Sequence, residues 1–313
     1  MSLIGSGMSL IWTARTLPSS ANWYSVTYGN GVFVTVAYGS NKAATSPDGI
    51  VWTAQTLPVS ANWISVTYGN GMFVAVSYYG AIAATSPDGI TWTAQTLPAS
   101  AGWQAVSYGN GMFIAVAWGS AMAATSSDGA TWTLQTLPVS ANWTSVAYGN
   151  GVFVAVAYGN TTSATSPDGV TWTAQTMPSS AAWYSVTYGG GMFVVVAYSH
   201  YMTAATSPDG ITWTAQTMPS TAAWYSVTYS DGMFVATSWS STDSASSLDG
   251  STWAVQTMPS IKYWSSATHG NGVFVAVAYG SAAAATAEWI TIPSISVVRS
   301  FPWVGRFQLT HVG

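Results

Sequence analysis

The hydrophobic positions of this chain fall in short runs, and each run stops at a cluster of Gly, Pro, Asn or Asp. The run Met72-Phe73-Val74-Ala75-Val76-Ser77-Tyr78 is apolar at nearly every position, so the strand it predicts needs cover on both faces. Before it come Trp63-Ile64-Ser65-Val66-Thr67-Tyr68 and the turn Gly69-Asn70-Gly71, whose residues accept positive φ. After it come Ala83-Ala84-Thr85-Ser86, the turn Pro87-Asp88-Gly89 and Ile90-Thr91-Trp92-Thr93-Ala94-Gln95. Four strands follow: a at residues 65–68, b at 72–78, c near 82–86 and d at 90–95. Gly or Pro punctuates the chain too often for helices.

The unit recurs about every 40 residues. The Trp that opens strand a appears at Trp23, Trp63, Trp103, Trp143, Trp183, Trp224 and Trp264, and that of strand d at Trp12, Trp52, Trp92, Trp132, Trp172, Trp213 and Trp253. A four-stranded unit with two apolar faces cannot cover both alone; stacking copies around an axis covers them. The sequence therefore predicts an all-β chain, a seven-bladed β-propeller of four-stranded antiparallel blades over residues 1–286, with an extended C-terminal tail at 287–313. The two Trp series are offset. Trp12 has no a, b or c strand before it, and the last copy has strands a to c over residues 265–285 without a standard d strand. The N-terminal strand, residues 9–16, is the favoured completion of the last blade because it removes exposed edges. The competing segment is Ala287-Glu288-Trp289-Ile290-Thr291-Ile292-Pro293. It lacks the Ser-Pro-Asp-Gly turn and shortens the Trp spacing from 40 to 36.

The turn Ser46-Pro47-Asp48-Gly49-Ile50-Val51-Trp52 recurs with Asp88/Trp92, Asp128/Trp132, Asp168/Trp172, Asp209/Trp213 and Asp249/Trp253. It resembles the Asp-box of the sialidase-like, or BNR-repeat, propellers. The resemblance implies that the box sits between the third and fourth strands, where Asp48, Asp88, Asp128, Asp168, Asp209 and Asp249 tie the turn backbone and the aromatic residue packs into the blade. Asp and Gly are adjacent here, one residue closer than in the usual box, so the likeness concerns blade design rather than activity. Sialidase chemistry in that family needs an arginine cluster, a Tyr nucleophile with a Glu partner and an acidic proton donor. The predicted blades hold one Arg, Arg15, and no Glu. General glycoside hydrolysis needs two facing carboxylates. Six of the nine acids are turn Asp residues and Asp231 sits in the a–b turn, which leaves Asp243 and Glu288. The expectation is a protein that is not an enzyme. His200, His269 and His311 are scattered, so neither metal nor cofactor is expected.

Charge narrows the partners. Five Lys and Arg against nine Asp and Glu give a net charge of −4 and only 4% charged residues. That is too few cations to follow a line of phosphates, so nucleic acid is excluded as a partner. Weak self-repulsion favours packing against other protein chains. There is no Cys. The longest apolar run, near residues 112–124, is broken by Gly119 and Ser120, so no membrane insertion is expected. The first ten residues lack a signal-peptide pattern, which points to a virion-associated protein or a non-classical route to the cell exterior.

Differences between copies mark one face. The b–c stretch changes every time, supplying Asn41, Lys42, Tyr79, Thr161, His200, Tyr201 and Asp243 as candidate ligand-binding residues. The residue after the first Trp also varies, adding Tyr24, Gln104, Tyr184 and Tyr225. In an up-and-down blade these positions share one face of the disc. A recognition face for glycans or a protein surface accounts for the variation, and so does drift in loops without packing load. The tail alternates apolar residues and contains Trp289, Arg299, Phe301, Trp303, Arg306 and Phe307, which are expected to dock on another chain of a homo-oligomer or virion. Two functions result: a structural, assembly propeller such as a bacteriophage tail or capsid-surface component, or a lectin-like module that binds glycans or a host surface through the variable face.

Overall fold

The computed structural model describes residues 8–199 and 202–291, and every regular element in them is a β-strand. The first copy shows the local logic. Residues 22–29 of the strand Met8–Gly29 pair antiparallel with Val32–Tyr38, which pairs with Ser40–Ser46, which pairs with Thr53–Ala61. Asn30 and Gly31 take φ of 48° and 77°, the left-handed pair that lets a two-residue turn match the strand twist. Phe33, Val34, Thr35, Val36 and Ala37 are all fully buried, so strand b is covered on both faces.

Hydrogen-bonded strands group into sheets of nine, nine and four. The large sheets arise because strand d of one copy runs on into strand a of the next. Thr133–Gly149 pairs with Ser120–Ser126 through residues 133–141 and with Val152–Ser166 through residues 142–149. At the ends of the chain, Met8–Gly29 pairs antiparallel with Ser281–Thr291, from Met8 opposite Thr291 to Thr16 opposite Ala283. The N-terminal residues thus lie fourth in the last meander. The segment 287–291 adds no separate strand. Without a Ser-Pro-Asp-Gly turn it runs straight on from strand c, with Trp289 opposite Leu10, so the sheet extends past the expected boundary at 286.

Burial follows the copies. The buried side chains form seven clusters, most of them drawn from neighbouring copies. The cluster around Trp23 includes Val273, Val275 and Val277, so the last copy packs on the first. Side-chain bonds repeat this contact. Ser25 Oγ accepts from Val66 N–H at 3.1 Å, Ser65 Oγ from Val106 N–H at 3.1 Å, and Ser266 Oγ from Val26 N–H at 3.2 Å. The strand-a Trp indoles satisfy their buried N–H groups locally, as Trp63 Nε1 does on the Val59 carbonyl at 3.1 Å. In strand d, Trp52 Nε1 donates to the Gly49 carbonyl at 3.0 Å, whereas Trp12, with no such turn before it, donates to Ser244 Oγ at 2.9 Å.

Candidate functional site

Each strand b ends in, or is followed at once by, an aromatic residue at the face where the b–c and d–a connections emerge: Tyr38, Tyr78, Trp118, Tyr158, Tyr198, Trp239 and Tyr279. All seven are half-buried, because their strand is covered on both sides and only its last side chain leans out. They ring a bowl of about 490 Å³, within the range of roughly 300–1,000 Å³ usual for small-molecule sites. The residues after the strand-a Trp form its floor: Tyr24, Ile64, Gln104, Tyr184 and Tyr225. Among the described residues no charged side chain lines it.

Three phenols from separate copies meet at the floor. Tyr24 OH lies 3.0 Å from Tyr184 OH and hydrogen-bonds Tyr225 OH, and Tyr184 and Tyr225 hydroxyls are 2.5 Å apart. Burial raises the pKa of Tyr24 and pushes Tyr184 and Tyr225 well above the ordinary tyrosine value, so all three stay neutral at physiological pH. Each hydroxyl has one proton and two lone pairs, so mutual bonding leaves acceptor capacity facing the bowl. Gln104 joins the same network. Beneath it a cavity of about 200 Å³ is bordered by Ser25, Ser65, Ser145, Ser185, Ser226 and Ser266. Six of the copies thus contribute a hydroxyl there; the third has Ala105 instead.

The structure brings Tyr24, Gln104, Tyr184 and Tyr225 together in the bowl. It spreads the other expected ligand residues around the rim. Asn41 and Thr161 are exposed, Lys42 Nζ donates to the Ser20 carbonyl at 3.2 Å, and Tyr79 packs edge-on against Tyr78 with centroids 4.5 Å apart. Asp243 lines a separate cavity beside the bowl. His200, Tyr201, Arg299, Phe301, Trp303, Arg306 and Phe307 lie outside the described residues. Trp289 is packed against the last core cluster. The ring of strand-b aromatics was not among the expected ligand residues. Its signal was a Tyr or Trp at one register position in all seven copies, which a repeat reading assigns to the scaffold.

The turn Asp residues lie at the opposite end. Asp48 Oδ1 accepts from Ile50 N–H at 2.8 Å, Val51 N–H at 3.0 Å and Ser46 Oγ at 3.0 Å, and these bonds hold its pKa below the usual carboxylate value. Asp88, Asp128, Asp168, Asp209 and Asp249 repeat the arrangement. Asn30 Nδ2 of an a–b turn donates to the Pro87 carbonyl in the next copy at 3.3 Å, so the two kinds of turn share that face. His269 is also distant from the bowl. Burial lowers its pKa, opposed by Asp231, whose Oδ2 lies 3.1 Å from Nε2 but off the hydrogen-bond direction. Among the described residues no three His, Asp or Glu side chains come together as metal ligands.

No protein-family profile matches the sequence, and no curated protein matches it. Solved structures do resemble the fold. Virginiamycin B lyase from Staphylococcus aureus superimposes with a TM-score of 0.82 at 12% identity, over 90% of this chain and 100% of that one. YCF48 bound to D1 peptide gives 0.70 at 14% identity, over 92% and 99%. The WD40 β-propeller domain of Doa1 gives 0.64 at 12%, over 89% and 97%. At these identities the likeness shows the fold alone: this chain is a β-propeller.

Proposed function

We propose that the chain forms a closed seven-bladed propeller that recognises carbohydrate, without catalysis, in the aromatic bowl on its axis. Closure is supported by the Ser266 to Val26 bond and the mixed cluster around Trp23, which repeat between the last and first copies what joins the others. The observation that carries the function is the bowl lining: seven aromatic residues around a floor of tyrosine hydroxyls, with no charged group among the described residues. Pyranose rings present C–H faces that pack on aromatic rings and hydroxyls that need neutral donors and acceptors, and the bowl offers both. The same lining supports the non-catalytic reading, since its phenols are held protonated and no carboxylate or imidazole among the described residues lines the bowl with them. The lyase likeness is one of fold. A glycan array probed with the wild-type protein and with Trp118→Ala tests the proposal. Binding of defined oligosaccharides, weakened in the variant, is expected; a blank array contradicts it.

A second reading, an assembly disc such as a bacteriophage surface component, is favoured by the opposite face. There Ile50, Ile90, Val170 and Ile211 stand 45–54% exposed at equivalent turn positions. A disc seated on protein through these aliphatic residues would hold its bowl outward. Electron microscopy and size-exclusion of the wild type and a variant with all four changed to Ser test it. Identical monomers in both would remove self-assembly from the account. The turn chemistry keeps kinship with Asp-box propellers within this proposal.

A further inference from the structure

The bowl continues outward at one place. Trp239 and Tyr198 line it and also line a neighbouring cavity of about 510 Å³ that includes Tyr263, Asp243, Ser240 and Ser241. Aromatic rings connect the two. Tyr184 and Tyr225 centroids are 4.1 Å apart, Tyr225 and Trp239 4.5 Å, and Trp239 and Tyr263 5.0 Å.

This cavity collects the departures from the repeat. Where the last copy has Tyr263, the other six have Asn, Gly or Ala. Where the sixth copy has Asp243, the first four have Lys42, Ile82, Met122 and Thr162. Ser240 holds φ of 63° where Gly39, Gly119, Gly159 and Gly280 serve other copies. The scaffold does not need these residues, since the remaining copies fold the same way without them.

Asp243 is held in place. Its Oδ2 accepts from Ser220 Oγ at 2.5 Å, its N–H donates to Ser241 Oγ at 3.0 Å, and its carbonyl accepts from Ser238 Oγ at 2.6 Å. No bond within the described protein takes its Oδ1, and it has no ion-pair partner among the described residues. Lys262 pairs opposite Ser241 in the ladder but does not line the cavity.

We infer that this outer cavity is an ammonium subsite, in which Asp243 takes a ligand amino group beside the exposed ring of Tyr263. A carboxylate beside aromatic faces attracts a cation twice, through charge-assisted hydrogen bonding and through the ring quadrupoles. Resting on the carbohydrate reading of the bowl, the ligand is an oligosaccharide carrying a free amino sugar.

Calorimetry at pH 6 with the glucosamine trisaccharide and the N-acetylglucosamine trisaccharide tests this. The wild type is expected to favour the free amine by about tenfold. Asp243→Asn, which keeps an acceptor for Ser220, is expected to abolish the preference. Equal affinities in the wild type, or a preference that survives in Asp243→Asn, would overturn the inference. Benzylamine and benzyl alcohol probe the subsite apart from the bowl through the Trp239 indole resonance. If neither trisaccharide binds but benzylamine shifts that resonance in the wild type alone, the carbohydrate reading falls and the subsite stands. If benzylamine acts no differently from benzyl alcohol, the subsite falls.

Discussion

The ring of Tyr28 occupies the space that a side chain on Gly270 would need: a Cβ there would lie 2.0 Å from the Tyr28 Cγ. The two residues are separated by most of the chain, yet the same contact joins Gly29 to Tyr68 and Gly69 to Tyr108 between consecutive copies. The last copy therefore meets the first as the first meets the second and the second the third.

Gly270→Ala is accordingly expected to destabilise by about 1–3 kcal/mol, the usual cost of overpacking. Tyr28→Ala opens the same space, so the double variant should lose less than the two single losses combined. Urea unfolding of the four proteins measures the difference. Additive losses would mean the contact does not form in solution.

Removing residues 1–17 takes away the strand that pairs with Ser281–Thr291 and the indole that donates to Ser244. The edge left behind is long and apolar. Thermal unfolding of the truncated chain should begin at lower temperature and end in aggregation, and a synthetic peptide of residues 8–17 should raise the midpoint. No response to the peptide would contradict the pairing.

Much of this fold could be read from the sequence because each blade repeats its own instructions. The Asn30-Gly31 turn, the double-faced apolar strand after it and the two Trp series are local signals, and the offset between the series pointed to residues 9–16 as a fourth strand. The bowl was harder to see. Tyr38, Tyr78 and Trp118 are identical in role and widely separated in sequence, and only the folded chain brings their half-buried faces together. Tyr24, Tyr184 and Tyr225 were visible as variable residues, but their contact joins copies that lie far apart in sequence and depends on how the copies pack. Trp289 was expected in the docking tail, but its backbone extends strand c opposite Leu10, because no turn sequence interrupts the strand after residue 286.

Stability should fall at both ends of the pH scale, for opposite reasons. The turn Asp residues have folded pKa values below their unfolded ones, so their contribution is present above about pH 4 and is lost as pH falls below it. The floor phenols Tyr24 and Tyr184, half-buried, and Tyr225, buried, have raised values, so theirs is present below about pH 10 and is lost as pH rises beyond it. Melting temperature should hold between these limits. A spectrophotometric difference titration of the wild type against a variant with all three changed to Phe should show these phenols ionising above the ordinary tyrosine range; a difference signal centred near pH 10 would contradict their raised values.

Asp88→Ala removes an acceptor of two backbone N–H groups and should cost about 1 kcal/mol, while Asp88→Asn, which keeps one oxygen, should cost less. Glycan binding should be unchanged in both, because the turn lies at the far end of the blade. Denaturant melts and array binding of the same two variants check this pair of outcomes.

The carbohydrate reading of the bowl is tested most directly by the indole N–H resonances of the protein titrated with an oligosaccharide positive on the array. Trp118 and Trp239 line the bowl, whereas Trp23, Trp63 and Trp103 are fully buried with their N–H groups bonded to backbone carbonyls. Saturable shifts at Trp118 and Trp239, with the buried series unmoved, are the predicted result. Shifts confined to other indoles, or no shift at either bowl Trp at saturating ligand, would contradict it.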